Sequence, residues 1–295
     1  MSRRGWVLFG LMCFIWGIPY LLIKVAVDEV SVPVLVFARI AIGAALLVPL
    51  AMRNGQFASL RGNWKPVVAF AAMEMLVPWA LLSDAERHIS SGLAGLLIAA
   101  TPIIAVIVGA LAGDDDRLDD VARLVGLGLG VVGVFILALP ELRGGSVKAM
   151  IELGIVAVLY ATAPRIIARR LADVPSLPIT AACLALGTVV YAAPAALTWP
   201  QTMPSGPVLA ALIGLGVICT GSAFVVFFAL IREVGPARAL VFTYVNPAVA
   251  VAAGVLLLGE PLTLPIIAAF VLILGGSILA TRTPKPGLPL TVEPV

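Results

Sequence analysis

SGLAGLLIAATPIIAVIVGALA fills residues 91–112 without one charged side chain. At about 1.5 Å of rise per residue, a helix of this length crosses the roughly 30 Å hydrocarbon core of a bilayer. A soluble helix needs a polar stripe for water, and this run has none. Pro102 sits in its middle and removes one backbone donor, which leaves the carbonyl of Ile98 without its helical partner. Inside a membrane such a carbonyl must be satisfied by a side chain, water or ligand. The stretch therefore predicts a helix that crosses a membrane and is interrupted partway.

Outward from it the same kind of block recurs. Hydrophobic residues make up 61% of the 295, and charged residues 12%, against about 45–50% and about 25% in soluble domains. The spacing predicts an all-α transmembrane protein of ten helices over 6–27, 32–52, 66–82, 90–112, 121–139, 148–168, 177–197, 207–231, 237–258 and 264–281. The first block follows Arg3 and Arg4 as in a signal peptide, but it exceeds a signal h-region and no small-residue cleavage site follows, so it is expected to be retained. Residues 284–295 contain four prolines, and the tail 283–295 is expected to be disordered.

The net charge of +3 comes from basic residues scattered singly between apolar blocks, with no basic face for nucleic acid. Lys and Arg fall unevenly about the predicted spans. Fourteen lie on one side, and Lys24, Arg87, Arg143 and Lys148 on the other, with Arg39 inside the second span. Positively charged loops stay in the cytoplasm, so both termini are expected there, in a cell inner membrane, with an even number of spans. Cys13, Cys183 and Cys219 each lie in an apolar run and read as core or lipid-facing residues.

An offset of 145 residues pairs Pro19 with Pro164, Pro33 with Pro178, Pro49 with Pro194 and Pro102 with Pro247, and also Lys24 with Arg169 and Arg87 with Arg232. Prolines within helices are costly, so four coincidences at one offset point to a duplication, with repeats over 5–140 and 148–282. Five spans per repeat invert the second half relative to the first. That is the architecture of many secondary transporters, whose substrate site lies where the halves meet.

The chain resembles the EamA-type branch of the drug/metabolite transporter superfamily, on Trp16-Gly17 with Pro19, Arg39, Ser91-Gly92-Leu93-Ala94 leading to Thr101-Pro102, Gly235-Pro236, Tyr244, Asn246-Pro247, Gly259-Glu260-Pro261-Leu262-Thr263 and Gly275-Gly276. The first repeat departs from that pattern, with Gly113-Asp114-Asp115-Asp116-Arg117 where the family has a Gly-Glu turn. The resemblance implies a ten-helix fold and export of a small metabolite, with aromatic amino-acid exporters the most similar kind.

Ionisable groups inside apolar spans cost about 2.5–3.5 kcal/mol on insertion scales. Two stand out: Arg39, suited to a carboxylate, and Glu74, suited to an ammonium or a proton. An Arg39–Glu74 ion pair is the structural alternative, and Lys24 and Arg165 are placed to snorkel to the interface. Trp16, Tyr20, Trp79, Thr101, Tyr160, Phe224, Phe228, Tyr244 and Asn246 cluster near the prolines expected to interrupt helices: Pro19, Pro78, Pro102, Pro164 and Pro247. They form a candidate cavity for an amphipathic solute, or else packing and an interface belt. Gly128-Leu-Gly130-Val-Val-Gly133 matches a dinucleotide fingerprint only on paper; within an apolar span it reads as helix packing. His88, the one histidine, reads as a loop residue. No catalytic triad, metal-ligand or P-loop pattern occurs, so neither a cofactor nor an enzyme is expected. The partners expected are the lipid bilayer, an amino acid or related metabolite, and protons as a candidate coupling ion. A pore-like facilitator and an intramembrane lipid-modifying enzyme are the alternatives.

Overall fold

A computed structural model describes residues 1–53, 55–112 and 121–281 of the chain. Among these residues the structure is all helical, and eight segments are long and apolar enough to cross a membrane. They are α1 (Arg3–Ala26), α2 (Val32–Arg53), α3 (Trp64–Ala85), α4 (Ser91–Leu111), α5 (Val121–Glu141), α6 (Val147–Arg170), α7 (Ser176–Leu197) and α8 (Gly206–Val234). Two shorter apolar helices follow, α9 (Asn246–Leu258) and α10 (Leu264–Ala280). The expected single span over 237–258 is instead three pieces: a turn of helix at Pro236–Ala239, a 3-10 turn at Leu240–Tyr244, and α9. Pro247 enters α9 as one of its first residues, where its missing amide costs nothing. The predicted disordered tail and the Asp114-Asp115-Asp116 turn lie outside the described residues.

Two of the helix interruptions recur at the offset of 145 residues. In α3 a π turn occupies Ala72–Leu76, just before Pro78, and the Val77 amide reaches back five residues to the Ala72 carbonyl. Widening the turn there relieves the clash that a proline makes with the preceding turn. Residues 72–76 shifted by 145 become 217–221, inside the π turn Gly214–Ser222 of α8. There the Thr220 hydroxyl donates to the Leu215 carbonyl at 2.8 Å. Each π turn also presents a carbonyl to a partner helix. Tyr191 of α7 donates to Leu76 at 2.7 Å, and the Trp16 indole donates to Cys219 at 3.2 Å. Likewise α4 breaks at Ala99–Ala100 before Pro102, and α1 breaks between Ile15 and Pro19. Pro164 departs from expectation: it sits within the unbroken helix Val147–Arg170. One proline deletes a single amide donor, and the flanking hydrogen bonds of a 24-residue helix carry the chain past it.

Small residues set the closest approaches. In α1, Gly17 lies against α9, and a Cβ there would stand 2.5 Å from Val249. Between α5 and α10, a Cβ on Gly276 would meet the Gly126 carbonyl at 2.6 Å, and one on Gly133 would meet Ile273 at 2.8 Å. The glycine series in α5 therefore serves helix packing, as its apolar setting implied. Outward faces carry large apolar side chains such as Trp6, Phe14, Leu46, Val131 and Phe135, as a lipid-facing surface requires.

One end of the bundle is cross-linked by polar contacts. Lys24 does not snorkel: its ammonium donates to the carbonyls of Glu86 at 2.6 Å and Ile89 at 2.9 Å, closing α1 onto the end of α3. Glu260 accepts from the Ser91 and Gly92 amides at 2.7 and 3.0 Å, capping α4 with a carboxylate from the α9–α10 turn. Gly259 makes this reach possible by ending α9 in a left-handed conformation, φ 66°. Glu29 accepts from the Ser205 amide at 2.7 Å at the start of α8, and Lys148 of α6 pairs with Asp84 of α3.

Overpacking the α5–α10 seam tests this architecture. Gly276→Val is expected to cost about 1–3 kcal/mol and lower the apparent melting temperature in detergent by several degrees. Gly275→Ala, whose added Cβ meets nothing within 4 Å, leaves it unchanged. Thermal unfolding followed by size-exclusion fluorescence reads both.

Candidate functional site

Arg39 stands midway along α2 with only 6% of its surface exposed. A guanidinium there needs compensation, since burying an unpaired charge costs several kcal/mol. Two neighbours supply part of it. Its Nε donates to the Thr220 hydroxyl at 3.1 Å, and its guanidinium carbon lies 3.7 Å from the centre of the Trp79 ring, a cation–π contact. Both partners are products of the π turns: Thr220 belongs to the one in α8, and Trp79 follows the one in α3 by three residues. The terminal nitrogens of Arg39 make no hydrogen bond among the described residues.

Glu74 occupies the π turn of α3, and its Oε2 is buried without a hydrogen-bond partner among the described residues. The Arg39–Glu74 ion pair, the structural alternative, is absent among the described residues, and Arg39 is held by Thr220 and Trp79. Tyr160 of α6 lies within electrostatic reach of Glu74, Tyr20 and Arg39, and sits beside Trp79. Tyr20 of α1 packs near Gly95 of α4, where a Cβ would come within 3.5 Å of its ring. Tyr20, Arg39, Trp79 and Tyr160 thus converge from α1, α2, α3 and α6, and Glu74 of α3 is linked to them through Tyr160.

The remaining expected residues divide. Trp16 packs against Phe224, Phe227 and Phe242, with ring centres 5.1–5.7 Å apart, and Phe228 extends this cluster 6.0 Å from Phe224. Thr101 donates to Ile98 at 2.6 Å and so satisfies the carbonyl that Pro102 frees. The Asn246 amide, oriented to satisfy its partners, donates to Phe242 at 3.1 Å and Cys13 at 3.2 Å. Both polar side chains mend interrupted backbone. Tyr244 bonds Thr281 at 2.6 Å beyond the end of α10 and does not join the Arg39 group.

Thr220, Phe227 and Phe242 were not singled out from the sequence. Thr220 is one hydroxyl among many in apolar spans, and only the crossing of α2 with α8 shows its role. Elsewhere, a cleft of about 230 Å³ between α4, α5 and α6, with Leu97, Ile103, Val131 and Phe135 in its wall, is almost wholly apolar and offers a polar solute no anchor.

The model of the EamA-like transporter family matches residues 3–139 and again residues 148–282. An uncharacterized transporter of Archaeoglobus fulgidus is 25% identical over 95% of this chain and 99% of its own length. The uncharacterized transporter YvbV of Bacillus subtilis is 23% identical over 96% and 93%, and the uncharacterized inner membrane transporter YedA of Escherichia coli K12 is 28% identical over 84% and 81%. A protein of known crystal structure, 20% identical, superposes with a TM-score of 0.68 over 95% of this chain and 98% of its own, and shares the fold. A multi-pass helical bundle with buried charge at its helix interruptions, matched along nearly its whole length in this way, is a membrane transporter belonging to the EamA-like transporter family.

Proposed function

We propose that this transporter exports amino acids or closely related small polar metabolites by alternating access at the Arg39–Glu74 group. The observation that carries the reading is a buried guanidinium and a membrane-embedded carboxyl group on neighbouring elements that are not spent on each other. Arg39 keeps its terminal donors, and Glu74 keeps a carboxylate oxygen without a partner. A zwitterion satisfies both at once, its carboxylate on the guanidinium fork and its ammonium on Glu74. Trp79, Tyr20 and Tyr160 add ring surface beside the charges, which suits an amphipathic or aromatic side chain. The inner-membrane relative supports a place in the inner membrane, and the distribution of Lys and Arg supports both termini in the cytoplasm.

The same reading takes the chain as two inverted five-helix repeats that rock about this group. Its support is the double match of the family model and the matching π turns in α3 and α8. In this scheme the contacts made by Lys24, Glu29, Lys148 and Glu260 hold the outward end closed.

Counterflow of radiolabelled amino acids in proteoliposomes tests the proposal. Saturable exchange is expected for at least one amino acid, and exchange of none in folded protein overturns it. Glu74→Gln keeps shape but loses charge, and is expected to weaken the affinity of that amino acid at least tenfold, about 1.4 kcal/mol. Arg39→Lys keeps charge but loses the planar fork. It is expected to weaken binding of the free amino acid about tenfold while sparing its methyl ester, which has no carboxylate to lose. Equal losses for acid and ester would assign Arg39 to the scaffold.

A further inference from the structure

Glu86 follows the last residue of α3 and is completely buried, and among the described residues neither oxygen of its carboxyl group has a hydrogen-bond partner. Four groups face it from other elements: Lys24 and Tyr20 of α1, Arg39 of α2, and Glu260 of the α9–α10 turn. The two nearest charges are already committed. Lys24 is held by the backbone carbonyls of Glu86 and Ile89, and Glu260 by the amides of Ser91 and Gly92. The Ser91 hydroxyl beside that cap is also buried and unpartnered.

An ionised carboxylate with no donor and no water is strongly penalised, and the neutral acid is not. Burial pushes the Glu86 carboxyl well above the usual carboxylate range, with Lys24 opposing and Glu260 reinforcing the shift. A metal cation or a substrate ammonium is disfavoured at the same place, because the Lys24 ammonium repels either. A proton is the one cation that binds to the carboxyl without needing further ligands. The position is also distinctive. Tyr20 and Arg39 belong to the central charged group, whereas Lys24 and Glu260 belong to the closed end, so Glu86 lies within electrostatic reach of both.

We propose that Glu86 is a proton-carrying site that couples transport to a proton gradient, holding its proton while the Lys24 contact is closed. When Lys24 leaves the Glu86 and Ile89 carbonyls, water enters and the carboxyl O–H bond breaks. The proton passes to that water, and the hydrated carboxylate remains. Reclosing expels water and requires a proton to be taken up first. This rests on the transport reading above and assigns its coupling ion.

Two measurements on the full-length protein test it separately from that reading. Infrared spectra of the purified protein in lipid nanodiscs, titrated from acid to alkaline pH without substrate, are expected to show a protonated-carboxyl band that persists to neutral pH. Glu86→Gln removes this component, Glu86→Asp restores one, and Glu74→Gln leaves it in place. In Glu260→Gln, which keeps an acceptor for the α4 cap and leaves the Lys24 contact in place, the band disappears at lower pH, since the reinforcing negative charge is gone. In proteoliposomes, radiolabelled amino-acid uptake driven by an imposed pH gradient is divided by counterflow of the same amino acid, and this ratio is expected to fall at least tenfold in Glu86→Gln.

Loss of no infrared component in Glu86→Gln, or an unchanged ratio, overturns the proton site. Absence of counterflow in the wild type overturns the amino-acid reading instead, and the infrared titration alone then decides whether Glu86 holds a proton. Should Glu86→Gln fail to fold, the Glu260→Gln titration decides: an unshifted band overturns the assignment.

Discussion

In hydrocarbon every backbone carbonyl must be given a donor, and this constraint governs each interrupted helix of the protein. A proline or a widened turn takes away the amide that an ordinary helix supplies. The protein replaces it with a side chain placed for the purpose. Thr101 serves Ile98, Thr220 serves Leu215, Tyr191 serves Leu76, Trp16 serves Cys219, and Asn246 serves both Phe242 and Cys13. Three of these five donors come from a different helix, so repairing the backbone also fixes how helices pack.

The charged centre is a consequence of those repairs. The π turn of α8 faces Thr220 toward α2, where its hydroxyl donates inward to Leu215 and still accepts from Arg39. The π turn of α3 carries Glu74 and precedes Trp79, whose ring covers the guanidinium. Arg39 is thereby fixed by a hydroxyl and an aromatic face rather than by a carboxylate. A direct ion pair with Glu74 would have satisfied both charges internally and left nothing for a solute. Separate anchoring keeps both available, which is the property the proposed amino-acid site depends on.

At the cross-linked end the same economy of partners recurs with opposite result. Lys24 and Glu260 each serve backbone groups, and the left-handed Gly259 and the bare Gly254 give Glu260 the path to α4; a Cβ on Gly254 would lie 2.2 Å from its carboxylate. The Glu86 carboxyl group, enclosed between them, is left without a hydrogen-bond partner among the described residues. Charged side chains near the ends of membrane helices are usually read as interfacial, and Lys24 shows why position along a span is a weak guide. Its ammonium lies within reach of two helix-terminal carbonyls, and those compete successfully with water.

Most of the architecture was legible in the chain itself. Apolar block length marks the helices because the bilayer sets one thickness for all of them, and the observed bounds of α2, α4, α7 and α10 fall within about two residues of the pattern-based ones. The proline offset likewise anticipates the matched interruptions at Pro102 and Pro247, since a missing donor acts locally wherever it stands. Local sequence also singled out Arg39 and Glu74, because charge in an apolar span is conspicuous. It did not reveal that they are unpaired, that Thr220 anchors Arg39, that Lys24 closes α1 onto α3, or that Glu86 is buried. Each of those depends on which faces of distant helices meet, with Arg39 and Thr220 separated by 181 positions. Pro164 marks the same boundary from the other side: its sequence predicts a break, and the surrounding helix absorbs it. The sequence by itself determined where the chain crosses and where its helices are weakened; the tertiary structure alone decided which charges are neutralised and which stay available, because pairing is a property of contacts and not of order along the chain.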